Sequence, residues 1–596
     1  MLVTLHEKLE ARRRDDDGST LVSVLIVMLV LTIGGLALSS IVVNTTGMLA
    51  AGRDTTQSRA AADAGLSDVV ARAQRGEDVC STATYTATTA PRFTVSVLCD
   101  TSSVIIRATG RGDDGGTTVT EATYVRSVAA TKLDGAVVSA SGSLNVSSLN
   151  ITAPAIDGDI VLDQGDFDCN NSMEIFGDLV LRNGKVNLSN ACRIHGDVIA
   201  SQSVQIQNNA VGVDGDVYAM GDFTLSTSAS IGGNVYTRGK AIVNSGGKIV
   251  KSLTAVGDAV IDGSATRISG SVWAGGAVSV NAATVTGSVT GAGTGDHSFY
   301  GAKTGMIRVA GRFNQMQSMT VAGDVVSTKS GATQSIAPDV TINGNLRLAG
   351  VYTTWNSGPV VSGTKSQNVT GLTAPVAPTV ATPWALTADA FEWIDLKIPV
   401  SGWAGYTKIT TPGCDFQGTY SAANRAVINA LTSPTVVDAR ACGTTNFYDA
   451  TFSLRTNVTF LVGKATAQRI KINSADGAEH TFNFITPDNT ANKAPTCAPE
   501  AGLPAPGTID IGDAIMDAKI TGIAYSPCTV HIGQSAGGGR WNGQVYAGKV
   551  EWGGNSSPRM QLDYREVNLP GFTVTSGGGG AGGSSSIGAL ISLRDS

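Results

Sequence analysis

Three carboxylates stand close together in the sequence, at Asp163, Asp166 and Asp168, and they are the residues best placed for chemistry. Clustered carboxylates can bind Ca²⁺ through their oxygens, or act as the acid and base that hydrolyse a glycosidic bond. The segment from Asp166 begins like a calcium-binding EF-hand loop, but Asn171 replaces the turn glycine and Gly177 replaces the bidentate glutamate. We therefore expect solvated loop carboxylates and no metal site, with a carbohydrate-active enzyme as the alternative.

Other catalytic and nucleic-acid signatures are missing from the sequence. It contains no phosphate-binding loop that ends in a Lys-Ser or Lys-Thr pair, and no His-Glu-x-x-His pair. Lysine and arginine number 42 against 48 aspartates and glutamates, so the formal charge of −6 provides no basic surplus for a nucleic-acid partner. We expect a protein that is not an enzyme, has no cofactor and binds no nucleic acid.

Eight cysteines form four sequential couples, in which the partners lie 19, 23, 28 and 31 residues apart. No Cys-x-x-Cys occurs and the five histidines are scattered, so the spacing does not favour zinc. Disulfides formed outside the cytoplasm fit better. Pairing within each couple is a preference for locality, because eight cysteines allow 105 connectivities, and free buried thiols are the alternative. The candidates are Cys80, Cys99, Cys169, Cys192, Cys414, Cys442, Cys497 and Cys528.

A short repeat must position most of these residues. A marker of Gly followed by Asp, Asn or Ser and an apolar residue recurs between Gly158 and Gly344 at intervals of 17 to 21 residues, when the degenerate units Lys251-Ser-Leu253 and Gly305-Met-Ile307 are counted. Apolar residues alternate within each unit and small turn residues interrupt them, which leaves no room for a helix. The period predicts a parallel β-solenoid over residues 150–350, with about 19 residues in each coil. The pattern resembles bactofilin-like polymer-forming proteins, which implies a right-handed β-helix.

The N-terminus carries an apolar segment, residues 21–43, which is long enough as a helix to cross a hydrocarbon core of about 30 Å. Lys8 and Arg12 to Arg14 precede it, and positive residues beside a membrane segment remain cytoplasmic. We therefore expect a single-pass membrane protein with its N-terminus inside the cell and its large C-terminal part outside.

A hydrophilic leader ends at Gly18, directly before Ser19, Thr20 and Leu21. This arrangement resembles type IV prepilin-like proteins, and the Ala- and Gly-rich segment 59–68 resembles PilX-type minor pilins. The resemblance implies cleavage after Gly18 by a prepilin peptidase, with other pilins as partners. The sequence departs from the pilin pattern at Ser19, where an aromatic residue or Met is usual, and at Ser23, where Glu is usual.

The remaining segments follow from composition and pattern. Short alternating runs after the helix predict a small antiparallel sheet, and three prolines among many threonines predict an extended linker. Further solenoid-like units appear near Gly522 and Gly543. The predicted divisions are a cytoplasmic leader 1–18, a transmembrane pilin-like helix 19–80, a β headgroup 81–135, the solenoid 150–350, a Pro/Thr linker 366–384, a distal domain with further coils 385–570, and a Gly/Ser tail 571–596.

These features predict a mainly β protein with an N-terminal transmembrane helix, and three functions. The first is a membrane-anchored, prepilin-like surface protein, a minor pilin or pseudopilin at the tip or start of a filament, whose solenoid adheres to a glycan or another surface ligand. The second is a membrane-tethered β-helix enzyme that acts on carbohydrate. The third is a bactofilin-like cytoskeletal polymer, which the cysteines and the outward topology disfavour.

Overall fold

The computed structural model describes residues 19–74, 79, 84–99, 103–113, 115–127, 135–146, 156–170, 173–208, 211–353, 358–533, 539–553, 560–572 and 586–595. The chain divides into two compact units. The first, the headgroup unit, comprises Met1–Ala129 and Ser584–Ser596, and the second, the solenoid unit, comprises Ala130–Gly583.

In its described residues, the headgroup unit consists of one long helix and one antiparallel sheet. Helix α1 spans Ser19–Gln74, and the sheet contains β1 (Thr84–Ala87), β2 (Arg92–Cys99), β3 (Ser103–Arg111) and β4 (Thr117–Ser127). Among the described residues, no helix is both long enough and apolar enough to qualify as a membrane span.

The C-terminal half of α1 packs on this sheet through small and branched apolar side chains. Ala62 and Val69 of the helix are buried against Val95, Ile106 and other sheet residues. The helix approaches the sheet so closely that a β-carbon on Gly110 would lie 2.0 Å from the carbonyl oxygen of Ser58. A carboxylate oxygen of Asp54 accepts the N–H of Gly116 at 2.6 Å, which ties the β3–β4 turn to the helix.

The headgroup sheet gains its last strand from the other end of the chain. Ser586–Asp595 pairs antiparallel with β4, and Ala122 lies opposite Leu593. The sequence analysis assigned this segment to a Gly/Ser tail, and that assignment is wrong for residues 586–595. Ile587, Leu590, Ile591 and Leu593 give the segment strand-like composition, which the preceding glycines had obscured.

The solenoid unit is a stack of parallel coils with three faces, as the period predicted. Leu179, for example, pairs with Ile160 of the coil before it and Val198 of the coil after it, each 19 residues away. Face 1 contains Val137–Ser141, Ile160–Leu162, Leu179–Leu181, Val198–Ala200, Val217–Ala219, Val235–Thr237, Leu253–Ala255, Val272–Ala274, Val289–Gly291, Ile307–Val309, Val325–Ser327, Leu346–Leu348 and Lys365–Ser366.

The other two faces repeat at the same period. Face 2 contains Leu144–Val146, Phe167–Cys169, Val186–Leu188, Val204–Gln207, Phe223–Ser226, Ala241–Val243, Ala259–Asp262, Val278–Asn281, Asp296–Tyr300 and Arg312–Gln317, with Thr333–Ser335 and Val351–Thr353 as a separate pair. Face 3 contains Ile156–Asp157, Met173–Ile175, Cys192–Ile194, Gly212–Val213, Ser230–Ile231, Lys248–Ile249, Arg267–Ile268, Thr284–Val285, Lys303–Thr304, Thr320–Val321, Thr341–Ile342 and Val360–Val361.

The interior of the stack explains both the alternation and the glycines. Inward Val, Ile, Leu and Phe side chains from the three faces form one continuous buried core. At the marker position the coils approach closely, and a β-carbon on Gly177 would lie 2.3 Å from the carbonyl carbon of Gly158. A side chain at Gly177 would therefore push the stacked turns apart.

The distal region adds coils to the same stack instead of forming a separate domain. Its strands are Thr407–Thr410, Thr435–Asp438, Thr445–Asn446, Thr451–Leu454, Val458–Leu461, Ala465–Gln468, Lys471–Ser474, His480–Ile485, Ile509–Gly512, Ile515–Met516, Ile520–Ile532, Arg540–Trp552 and Gln561–Asp563. Helix α2, Ala422–Asn429, packs its Ile428 into the core. Val545 pairs with Val137, so the last distal coil stacks on the first coil of the predicted solenoid.

Candidate functional site

The predicted pilin motif lies at the start of α1. Ser19 is the first residue of the helix, Thr20, Leu21 and Ser23 follow in its first two turns, and Gly18 lies outside the described residues. The eight residues from Val24 to Leu31 are each 53–67% exposed, so the described headgroup unit leaves this apolar surface uncovered.

The three predicted carboxylates do not converge on one site. Asp163 pairs with Arg182, whereas Asp166 accepts the N–H of Lys185 at 3.0 Å and its other oxygen lies 3.6 Å from the Lys185 ammonium. Asp168 lies on face 2 between Asn145 and Asn187 of the adjacent coils. In the described ranges no group of three or more His, Cys, Asp and Glu residues is placed to hold a metal ion.

Three of the sequential cysteine couples are disulfides. Cys169–Cys192, Cys414–Cys442 and Cys497–Cys528 have Cα–Cα distances of 6.3, 5.6 and 4.8 Å. The first links face 2 to face 3 of the next coil inside the core, where both cysteines are buried. Each crosslink typically contributes about 2–4 kcal/mol by restricting the unfolded chain. The couple Cys80 and Cys99 lies outside the residues whose side chains the structure describes.

An aspartate ladder, which was not predicted from the sequence, occupies the position after the marker glycine. Asp159 accepts the N–H of Asp178, Asp178 accepts that of Asp197, and Asp197 accepts that of Asp216, each at 2.7 Å. Asp216 accepts the N–H of Asn234 at 2.6 Å, and serines continue the pattern at Ser252 and Ser271. Each side chain thus satisfies a backbone donor of the next coil.

Stacking places like charges close together in the ladder. Burial, with the charge of Asp159 added, raises the pKa of Asp178 to about 6, although the N–H of Asp197 acts against this shift. Burial likewise raises the pKa of Asp197 to about 6, with Asp178 and Asp216 adding to the effect. The arrangement is a structural cap that carries an electrostatic cost at neutral pH, because burial and the neighbouring carboxylates disfavour the charged forms of Asp178 and Asp197.

A second missed feature is the strap, residues 367–406, which returns along face 1. Backbone carbonyls of the strap accept hydrogen bonds from side chains of the stack. Trp273 donates to the Val376 carbonyl at 3.0 Å, Arg238 to the Val380 carbonyl at 3.0 Å, and Arg182 to the Thr387 carbonyl at 2.7 Å. Trp273 and Arg238 are two coils apart, which is roughly 10 Å. Their acceptors, Val376 and Val380, are four residues apart, and an extended chain at about 3.3 Å per residue covers that distance. The predicted linker is extended, but it is held on the stack.

The strap covers a second apolar core on the outside of face 1. A continuous outward row runs through the adjacent coils in the order Tyr525, Tyr546, Val138, Val161, Val180 and Ile199. Trp393, Leu396 and neighbouring strap residues bury this row. The Trp393 indole N–H donates to Asp488 at 2.9 Å, and the Tyr525 hydroxyl donates to the Ile394 carbonyl at 2.5 Å.

Comparison with known proteins adds little to this picture. No family model matches the chain and no curated protein is similar to it, so neither the PilX-type nor the bactofilin-like resemblance is confirmed. A similar solved structure is the crystal structure of competence-associated pilin ComZ from Thermus thermophilus, with 11% sequence identity over 91% of this chain and 97% of that chain. The TM-score of 0.14 is too low for this likeness to carry an argument.

Proposed function

We propose that this chain is a prepilin-like, membrane-anchored surface protein, a minor pilin or pseudopilin whose solenoid unit is an adhesive structural ectodomain. The observation that supports this proposal most directly is the structure of the headgroup unit. A 56-residue helix leaves its N-terminal apolar surface exposed and packs its C-terminal half on an antiparallel sheet. This exposed apolar surface needs an apolar environment. The membrane would supply one before the protein enters a filament, and the helices of neighbouring pilins would supply one afterwards.

The disulfides support an extracytoplasmic location for the solenoid unit. Three crosslinks in one unit fit an oxidising compartment and disfavour a cytoskeletal polymer. The N-terminal part of α1 supports insertion into a membrane because residues 19–52 carry no charge. Asp163 and Asp166 are used in an ion pair and a backbone cap, which favours a structural role over the carbohydrate-active alternative.

Processing is the first test of this proposal. Mass spectrometry of the protein recovered from the envelope should find Ser19 as the first residue, because the leader ends at Gly18 in the pattern that prepilin peptidases cut. Substitution of Gly18 with Ala should leave Met1 on the chain, whereas Gly47→Ala, at a helical glycine far from the leader, should be cleaved normally. An intact N-terminus in the unsubstituted protein would contradict the proposal.

Topology is the second test. Protease added to intact cells should remove the solenoid unit, and permeabilised cells should give no additional cleavage of that unit. Protection in intact cells would favour the cytoskeletal alternative, because its polymers lie in the cytoplasm.

A further inference from the structure

Face 2 of the solenoid unit presents an unusual outer surface. Its outward side chains are mostly amides and hydroxyls, and they stand in two rows because alternate strand residues point outward. Near the middle of the stack one row contains Ser279, Ser298 and Gln315, and the adjacent row contains Asn281, Tyr300 and Gln317. Neighbouring positions lie roughly 4.8 Å apart between coils and about 7 Å apart along a strand.

These two rows line a shallow depression of about 380 Å³, bounded by Ser279, Asn281, Ser298, Tyr300 and Gln315. A register shift between His297 and Ser298, where the face 2 strand Asp296–Tyr300 pairs with the next face 2 strand Arg312–Gln317, interrupts the flat sheet at this place. The neighbouring coils at Ala241–Val243 and Ala259–Asp262 instead present the apolar outward residues Ile242 and Val260. The depression is thus a local feature and not a property of the whole face.

The polar groups of the depression are held in position from behind. His297 is buried beneath it, accepts the N–H of Val278 at 3.0 Å, and contacts the carbonyl of Gly293 at 2.9 Å through its other ring nitrogen. The amide of Asn281 donates to Asp262 at 2.7 Å, which fixes its orientation and leaves its carbonyl oxygen outward. A binding surface needs this kind of preorganisation, because a ligand then meets groups that are already ordered.

The amide of Gln315 donates to Gln317 at 3.3 Å, which holds it against the sheet. Tyr300 is 45% exposed and brings an aromatic face to the depression. Within the described residues, the side-chain hydroxyls of Ser279, Ser298 and Tyr300 make no hydrogen bond to the protein, so a ligand can use their hydrogen-bonding capacity.

This chemistry selects one class of ligand. The lining contains no Lys, Arg, Asp or Glu, and the nearby Asp296 and Arg312 pair with each other at 2.5 Å. A polyanion such as a nucleic acid would find no cation in the depression. A lipid would find too little apolar surface. Amides and hydroxyls around one amphipathic aromatic ring match the hydroxyls and the C–H faces of an uncharged sugar.

We propose that this depression is a binding site for a neutral oligosaccharide. The inference rests on the proposed surface role of the ectodomain, for which it names the ligand class, and it does not depend on filament assembly. Tyr300 packs against a sugar ring, and Ser279, Ser298, Asn281 and Gln315 exchange hydrogen bonds with its hydroxyls. Two or three sugar units span the coils that line the depression.

The test uses the full chain in detergent and calorimetric titration with three neutral probes, chitotetraose, cellotetraose and maltotetraose. At least one should bind, and Tyr300→Ala should weaken that binding about tenfold, the loss typical of a central aromatic anchor. Gln315→Ala should also weaken it. Gln205→Ala is the matched control, because Gln205 lies on face 2 with the same 3.3 Å contact to a glutamine two residues on, but outside the depression.

Three results would overturn the inference. The first is no binding of any of the three probes at about 10 mM, where even millimolar affinity would be visible. The second is equal binding by Tyr300→Ala, Gln315→Ala and the unsubstituted chain. The third is binding of polygalacturonate or single-stranded DNA in place of the neutral probes. If sugar binding fails but the leader is still cleaved and the solenoid unit is still exposed on the cell surface, the proposed surface role stands. If sugar binding is found but cleavage and surface exposure are not, only the proposed surface role is contradicted.

Discussion

At the residue scale, the aspartate ladder gives the repeated motif a physical reason. Each coil leaves a backbone N–H at the same corner, and an oxygen from the coil before it accepts that donor. Asp, Asn and Ser all supply such an oxygen, which explains why these residues predominate at this position, where Met306 is an exception. The period could be predicted from the sequence. The hydrogen bond could not, because it joins residues 19 apart that only the stacking brings together.

Removing charge from the ladder should stabilise the solenoid unit at neutral pH. The double variant Asp178→Asn and Asp197→Asn keeps the oxygen acceptors, as Asn234 does naturally in the same ladder, and removes two like charges. We expect the free energy of unfolding at pH 7 to rise by on the order of 1 kcal/mol after solvent screening is allowed for. Chemical denaturation measures this change. Asp222→Asn is the control, since Asp222 caps Lys240 at an exposed position.

The same pair predicts an unusual pH dependence. Between pH 3.8 and about 6 the folded ladder binds more protons than the unfolded chain, because the pKa values of Asp178 and Asp197 are raised. Its contribution to stability is therefore full below pH 3.8 and is lost as the pH rises through about 6. The difference in unfolding free energy between the double variant and the unsubstituted chain should shrink from pH 7 to pH 5. A difference that grows on acidification would contradict the raised pKa values.

At the scale of elements, the strands of face 1 contained a signal that the sequence analysis did not use. Leu179–Leu181 and Val198–Ala200 are apolar at every position and buried on both sides, whereas most other coils alternate. Continuous apolar strands predict a second covering layer. That layer is the strap, and its Pro- and Thr-rich sequence has no periodicity from which its partner could be deduced.

Removing a contact between the strap and the stack should destabilise the strap locally and leave the coils folded. Arg238→Ala removes the bonds to the Val380 carbonyl and to the Thr382 hydroxyl, which lie at 3.0 and 2.7 Å. We expect a loss of about 1 kcal/mol, typical for hydrogen bonds to a charged group at a partly exposed site. Hydrogen exchange should accelerate at the amides of Leu386 and Thr387, which are protected by turns in the strap.

Arg347→Ala is the control for this prediction. Arg347 is an exposed arginine at the centre of a face 1 strand, beyond the coils that carry the strap-binding residues Arg182, Arg238 and Trp273. Equal acceleration in both variants would show that Arg238 does not anchor the strap.

At the scale of the whole molecule, the order of the chain differs from its order in space. The chain builds coils from Val137 to Ser366, returns along face 1, and then adds the distal coils beneath the first one. The sequence predicts the coils because each has the same period. It cannot predict which end receives the distal coils, because the apolar core offers similar edges at both ends of the stack.

Damage in the distal coils should therefore reach the first coils of the solenoid. Phe460 is buried between Phe447 and Phe482, with ring centroids 5.0 and 5.6 Å away, so Phe460→Ala should cost about 3–5 kcal/mol. Hydrogen exchange should lose protection in Val137–Ser141 and Ile160–Leu162, about 300 residues earlier in the sequence, because stacked coils are stabilised by their neighbours. Val427→Ala on the exposed side of α2 should leave these strands unchanged. Effects confined to residues 407–563 would indicate independent domains.

Ser23 and the size of the solenoid unit both bear on the position of this chain in a filament. The pilin resemblance implies that a glutamate at the fifth mature residue neutralises the N-terminal ammonium of a neighbouring subunit, and an unpaired buried charge is costly. Ser23 offers no charge, and the solenoid unit, Ala130–Gly583, would crowd a helical lattice of identical subunits. We therefore expect a tip or initiating subunit, and immunogold labelling should mark filament ends. Ser23→Glu should increase incorporation along the filament, whereas Ser23→Gln, the uncharged control of similar size, should not. Even labelling along filaments of the unsubstituted protein would exclude the tip position.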